Sequence, residues 1–116
     1  AYFVTGNHEK TVDLERALSL IASNRVRVLR NEVVEAKGIQ IVGLDYMNAD
    51  EDTLDLHPST ETRTIKSTLP ALPIEADTPS ILMHHSPVGT SYAEVAGIDL
   101  VLTGHTHAGQ IFPFTL

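Results

Sequence analysis

Three short clusters in this chain set histidine beside glycine or proline, the first with asparagine and glutamate as well, and each follows an apolar run. They are Gly6-Asn7-His8-Glu9 after Tyr2-Phe3-Val4, His84-His85-Ser86-Pro87 after Ile81-Leu82-Met83, and Gly104-His105-Thr106-His107 after Ile98 to Leu102. Imidazole is the commonest metal-ligating side chain near neutral pH, and histidines at i and i+2 can address neighbouring positions of one cleft. The glycine ahead of His105 and His107 lets the backbone turn sharply and approach a ligand closely. One His-x-His pair says little; three such clusters at strand ends point to a single polynuclear metal site. Asn7, His85, His105 and His107 offer neutral N and O donors, which suit borderline divalent ions such as Zn, Mn, Fe or Co. Two ions about 3.5–4 Å apart can clamp a phosphate and activate a water for in-line attack. Such a site normally also needs a bridging carboxylate. The acids of the 45–55 segment could supply one, and Asp45, which ends an apolar run, is a candidate for lining the site.

The elements that must position these clusters alternate between helix and strand. Tyr2 to Thr5 reads as a short strand. Val12, Leu14, Ala17, Leu18 and Ile21 recur at helical spacing, with Thr11 as the expected cap, Asp13 and Glu15 in the first turn and Asn24 at the stop. Three short strands follow, Val26 to Leu29, Val33 to Ala36 and Ile39 to Leu44, with Lys37-Gly38 as a hairpin turn. Asp45 to Ser59 is acid-rich and reads as a solvated loop in which His57 is exposed; a weak helix is expected from about Thr60 to Leu69, ended by Pro70 and Pro73. A strand from Ser80 to Met83, a helix from Ser91 to Ala96 stopped by Gly97, and a strand from Ile98 to Thr103 complete the pattern. Alternation of this kind predicts α/β layers with functional residues at strand ends.

With 116 residues, 42% of them hydrophobic, the chain can bury a core as one domain or less. No apolar run approaches the roughly 18 residues of a membrane helix. The net charge of −7 argues against binding a nucleic-acid backbone. Arg25, Arg27 and Arg30 form the one basic cluster and read as a solvated edge, and with no cysteine, thiolate sites and disulfides are excluded. Apolar residues stand close to both ends, Tyr2 to Val4 and Ile111 to Phe114, so the expectation is a single partial domain over residues 1–116, cut from a longer protein at both ends.

The three clusters resemble, in order, the last three of five motif blocks of the calcineurin-like metallophosphoesterases: Gly-Asn-His-Asp/Glu, a His before x-Pro, and Gly-His-x-His. Gly6-Asn7-His8-Glu9 matches the first of these, His85-Ser86-Pro87 the second and Gly104-His105-Thr106-His107 the third. His105 to Ile111 is also similar to the Gly-His-Thr-His-Gly-Gly-Gln signature of the YkuE-like branch, with Ala108 in place of a glycine; Val28 to Glu32 and Ile41 to Asp45 resemble that branch's middle region. The blocks Asp-x-His and Gly-Asp-x-x-Asp, which precede the other three in the family, have no counterpart in these residues.

The resemblance implies a layered α/β/β/α sandwich of which this chain is the C-terminal half. It implies a phosphoesterase that cleaves a phosphomonoester, phosphodiester or pyrophosphate bond with metal-activated hydroxide, using two divalent ions. Asn7, His85 and His105 would then bind one ion and His107 the other. His8 would stabilise the transition state or protonate the leaving oxygen, and Glu9 would orient His8. The implied substrate is a small-molecule or lipid phosphate ester, and the branch implies an exported or membrane-associated bacterial protein. An inactive fragment or pseudoenzyme that keeps a partial metal site and acts as a binding module is the competing expectation. Self-association through exposed apolar edges is expected of such a piece by itself. His84 reads as a residue behind the site, as one facing the substrate, or as a packed strand-end histidine. Tyr46 and Tyr92 read as packing residues, and Gln110 as a residue near the rim.

Overall fold

The structure is a computed structural model that describes residues 1–53, 59 and 61–106. Two sheets carry it. A two-stranded parallel sheet pairs β1 (Tyr2–Phe3) with β2 (Arg27–Val28). A four-stranded sheet runs in the order β3 (Glu32–Ala36), β4 (Ile39–Gly43), β5 (Ser80–Met83), β6 (Leu100–Leu102); β3 and β4 are antiparallel, and β4, β5 and β6 are parallel. The parallel and antiparallel pairings together make a mixed α/β architecture, part of the expected layered sandwich.

Period-two alternation assigns the two faces of the larger sheet. The register Val33–Val42–Leu82–Val101 places one row against the helices, where Val42, Leu44, Met47, Ala49, Ile65, Leu69, Leu82 and Ala93 form a buried core. The adjacent row, Val34–Ile41–Ile81–Leu100, lies on the opposite face and grades from buried at Val34 to 49% exposed at Leu100. The smaller sheet meets the larger one through Leu29, which is completely buried. A Cβ built on Gly43 would stand 2.2 Å from Leu29 Cβ, so the strand approaches that side chain as closely as a backbone can.

Local chemistry explains most element ends, and several differ from expectation. Helix α1 (Leu14–Ser23) is capped by Asp13, whose carboxylate accepts the Arg16 N–H at 3.2 Å, and it stops at Asn24. The expected cap, Thr11, instead belongs to a 3-10 turn (Glu9–Thr11) and donates its hydroxyl to the His8 carbonyl. Val12 is extended between the two turns and 58% exposed, so it lies outside the apolar stripe. The hairpin turn stands as expected, with Lys37 and Gly38 at φ 54° and 79°.

Helix α2 (Ile65–Thr68) is shorter than the 60–69 expectation. The Thr64 hydroxyl accepts the Ser67 N–H and the Ser67 hydroxyl accepts the Thr64 N–H, a reciprocal cap that sets its start. The α-helix stops before Pro70, as expected, and Pro70 sits inside a following 3-10 turn (Leu69–Ala71), near a first turn where a missing N–H costs little. Strand β5 has the expected bounds. Strand β6 starts two residues later than expected, because the Asp99 carboxylate takes the Ser80 N–H at 2.8 Å and replaces the ladder there. Helix α3 (Thr90–Val95) joins these two strands.

The segment after β4 departs furthest from expectation. Its acids promised a solvated loop, yet Asp45, Tyr46, Met47 and Ala49 are buried. Beyond them the chain is pinned at the surface: the Tyr92 hydroxyl donates to Asp50, and Lys66 pairs with Glu51 at 3.3 Å. The Tyr92 hydrogen bond is the main reason the Asp50 carboxyl titrates below its usual range and the phenol above its own. His57 and Thr60 lie outside the described residues. No helix among the described residues is long and apolar enough to cross a membrane.

Gly43→Ala forces the added methyl into Leu29, and overpacking of this kind costs about 1–3 kcal/mol. Urea unfolding should register that loss, and Leu29→Ala in the same chain should not recover it, because alanine keeps the Cβ that the new methyl would meet at 2.2 Å. A single Gly43→Ala variant as stable as wild type would mean the sheets do not meet there.

Candidate metal centre

Strands β4, β5 and β6 run parallel, so their carboxyl ends open onto one edge of the sheet, where open α/β sheets hold ligands. That edge receives Tyr46 from β4, His84 and His85 from β5, and His105 from β6. Backbone bonds continue past the strands: Leu44 N–H to the Met83 carbonyl (3.1 Å), His84 N–H to Leu102 (3.2 Å) and Gly104 N–H to His85 (2.9 Å). These ties carry the sheet spacing out into the loops and bring the His85 and His105 rings edge to face, 5.1 Å apart. His105 has φ 66°, a left-handed conformation uncommon for a residue with a side chain, which turns the chain back at the strand end.

Asn7 reaches this edge from the smaller sheet. Its Oδ1 stands 2.9 Å from His85 Nε2, across 78 residues of sequence. Gly6 makes the approach possible, since a Cβ there would come within 3.0 Å of the His85 ring. Glu9 stabilises the same turn by accepting the Gly6 N–H through Oε2. That is the contact the structure shows for Glu9, and His8 is exposed at the rim of the turn.

The neighbouring acids and histidines have definite partners. Asp45 is buried and accepts from the Thr5 hydroxyl at 3.0 Å, from Arg30 Nε at 3.1 Å and from Asn31 Nδ2 at 3.3 Å. It therefore ties β1 and the β2–β3 turn to the end of β4. Arg30, expected at a solvated edge, also reaches Glu15 at 3.1 Å. Burial by itself would lower the Arg30 pKa, but the charges of and hydrogen bonds to Asp45 and Glu15 outweigh it and raise the pKa, so this guanidinium stays charged. Arg27 pairs with Glu32 at the surface.

His84 is buried, with Nδ1 2.9 Å from the Ser86 carbonyl, which can only accept; the proton is thus on Nδ1, and Nε2 accepts the Met47 N–H at 3.5 Å. Of the readings open for it, its burial fits the packed strand-end histidine and the residue behind the site, not the one facing the substrate.

The spacing of the donors bears on whether they fit a metal. Two ligands each about 2.1 Å from one ion, at angles between 90° and 109°, stand roughly 3.0–3.4 Å apart. The 2.9 Å between Asn7 Oδ1 and His85 Nε2 is close to that spacing, and without metal a proton on Nε2 bridges the two. Among the described residues no group of three or more His, Cys, Asp or Glu side chains is arranged to hold an ion. The described residues thus fit part of a centre: an Asn–His pair with the His105 ring beside it. His107, expected as the other ion's ligand, lies outside the described residues, as do Asp55 and Gln110.

Thr5, Gly6 and Tyr46 are the residues beside the candidate site whose contacts the sequence did not disclose. Tyr46 packs, as expected, and does so in the midst of the candidate site. It is 1% exposed, and its ring lies 6.3 Å from that of His84, 5.8 Å from that of His85 and 6.2 Å from that of His105. The buried Tyr-Met-x-Ala pattern inside an acidic stretch was the available signal.

The family model described as calcineurin-like phosphoesterase matches residues 1–109. The chain is 38% identical over 117 residues to an uncharacterized metallophosphoesterase of Helicobacter pylori strain J99, covering 99% of this chain and 29% of that protein. It is 34% identical over 128 residues to a bovine transmembrane protein with metallophosphoesterase domain, covering 99% and 28%. An uncharacterized metallophosphoesterase of Aquifex aeolicus is 33% identical over 113 residues, covering 96% and 40%. No solved structure matches the chain. The chain belongs to the calcineurin-like phosphoesterase family, and it spans under a third of the length of the first two of these relatives.

Thr5→Val should remove the bond to Asp45 and strand the buried Tyr46 N–H, which Thr5 Oγ1 accepts at 3.0 Å. Leaving such groups unsatisfied costs about 1–3 kcal/mol. Chemical denaturation should show that loss, and Thr5→Ser should restore most of it. A valine variant of wild-type stability would mean that Thr5 does not hold this junction.

Proposed function

We propose that the protein containing this chain is a metal-dependent phosphoesterase that hydrolyses a phosphomonoester, phosphodiester or pyrophosphate bond, and that residues 1–116 carry one side of its centre. Family membership supports phosphoester hydrolysis in general. The observation that carries the metal reading is the convergence of Asn7 Oδ1 and His85 Nε2 at 2.9 Å, beside His105. Asn7, His85 and His105 hold one divalent ion, and His107 contributes to the second. When bound, such ions polarise a phosphoryl oxygen and lower the pKa of the attacking water.

The chain's own groups divide the remaining work. His8 stands exposed at the mouth of the Gly6–Glu9 turn, where it can donate a hydrogen bond to a phosphoryl oxygen or a proton to the leaving oxygen. Glu9 holds the turn through the Gly6 N–H and so fixes where Asn7 and His8 point. The substrate is a small-molecule or lipid phosphate ester; the printed name of the bovine relative, a transmembrane protein, supports membrane association of the longer protein. The half-exposed Leu100 and Leu102 of edge strand β6 support self-association of this piece by itself.

One observation favours a second reading, a binding module with a partial site. Asp45, Asp50 and Glu51, the described acids nearest in sequence to the β4 end, are engaged with Arg30, Tyr92 and Lys66 rather than with the histidines. Metal analysis of the chain equilibrated with Mn or Zn separates the readings. About one ion per chain is expected, and affinity should fall by at least about tenfold in His85→Ala and in His105→Ala, as expected for loss of a donor. Wild-type and variant chains equally devoid of metal would overturn the metal reading. Metal binding with no release of phosphate or nitrophenol from nitrophenyl phosphate esters by the longer protein would favour the binding module.

A further inference from the structure

We propose that Tyr46 is a positioning residue for the metal ligands, its ring being the shared wall that sets how the His85 and His105 imidazoles stand relative to one another. This rests on the reading of Asn7, His85 and His105 as ligands. The two imidazoles come from loops after different strands, and Asn7 Oδ1 holds that of His85 at 2.9 Å. The neighbour that both rings share is flat and buried. The Tyr46 ring meets that of His85 edge-on at 71° and that of His105 at a 30° tilt, while the two imidazoles meet each other at 83°. On its other flank it stacks within 8° of parallel on His84, whose ring is fixed by the Ser86 carbonyl and the Met47 N–H.

The wall cannot drift, because the backbone beneath it is held. The Asp45 N–H donates to Asn31 Oδ1 at 3.0 Å, the Tyr46 N–H to Thr5 Oγ1 at 3.0 Å, and the Met47 N–H to His84 Nε2 at 3.5 Å. Thr5 lies two residues before Asn7, so the bond that anchors Tyr46 also anchors the loop bearing the third donor. A single residue is thereby registered against all three ligand loops. Aromatic shape, not mere bulk, is what the arrangement uses, since an aliphatic side chain presents no flat face to either imidazole.

The test is titration of the whole chain with Mn or Zn in wild type, Tyr46→Phe, Tyr46→Leu and Val34→Ala, with apo stability measured for each. Val34 is buried on β3, at the opposite edge of the sheet from β6, and serves as a destabilising control. Tyr46→Phe should keep wild-type affinity, and Tyr46→Leu should lose roughly 10–100-fold, the usual effect of removing a group that orients a ligand. Val34→Ala should lose stability but not affinity. In the metal-free chains, the ring carbon–proton NMR signals of His85 and His105 should stay sharp in Tyr46→Phe and shift or broaden in Tyr46→Leu. Tyr46→Met, a smaller change in shape, carries the same comparison where Tyr46→Leu fails to fold.

Wild-type affinity in the leucine or methionine variant overturns the positioning role, as does equal loss in Tyr46→Phe or in Val34→Ala. A wild-type chain that binds no ion overturns the ligand reading, and this role with it.

Discussion

Three consecutive backbone amides, those of Asp45, Tyr46 and Met47, each donate to a side chain from a different loop: Asn31, Thr5 and His84. A strand that runs off its sheet leaves N–H groups without ladder partners, and burying them unpaired costs about 1–3 kcal/mol apiece. Here the partners are recruited from the β2–β3 turn, from the end of β1 and from the end of β5. The solution to a local hydrogen-bonding problem therefore fixes the relative placement of both sheets. Remove Thr5 or His84 and the loss is not confined to that bond, because each adjoins a loop of the candidate site.

Asp45 completes the junction from the side-chain direction. It accepts from Thr5, Arg30 and Asn31, so a buried carboxylate is matched by a cation and by neutral donors. Removing Arg30 is costly because the Asp45 charge then stays in a poorly solvated place, whereas Arg30 itself is half-exposed. That explains why an acid at a strand end, in a position suited to a metal ligand, is occupied with architecture instead. The parallel β4–β5–β6 arrangement then does the rest, delivering an aromatic ring and two imidazole-bearing loops to the same edge.

Much of this was legible in the sequence, for a physical reason. Strands β4 and β5 and helix α1 have strong periodicity, and Lys37-Gly38 has the turn chemistry its φ values require, so pattern and structure agree to within a residue or two. The three strand-end clusters were visible because histidine beside glycine or proline, set after apolar runs three times in one chain, marks strand ends that share a cleft. What was hidden depends on tertiary contact. Asp45 to Ala49 looked solvated because its neighbours are acidic, and only the acceptors supplied from 14 to 41 residues away make its burial tolerable. The choice of Asp13 over Thr11 as helix cap turned on the extended conformation of Val12, which no propensity distinguishes. The closeness of Gly6 to His85 is likewise a distance between chain segments and leaves no mark on either one.

The span between Asn7 and His85 has a temporal side. Asn7 leaves the ribosome 78 residues ahead of the ring it contacts, and the contact requires β4, β5 and the junction after β4 to be in place. Closing so long a loop costs only about 0.6 kcal/mol more than closing one half as long, so the delay is set by synthesis and topology rather than by chain entropy. A nascent or proteolytically clipped chain holds the asparagine without the histidine. The Asn7–His85 pairing is thus a property of the finished fold and is missing from every incomplete copy of the chain.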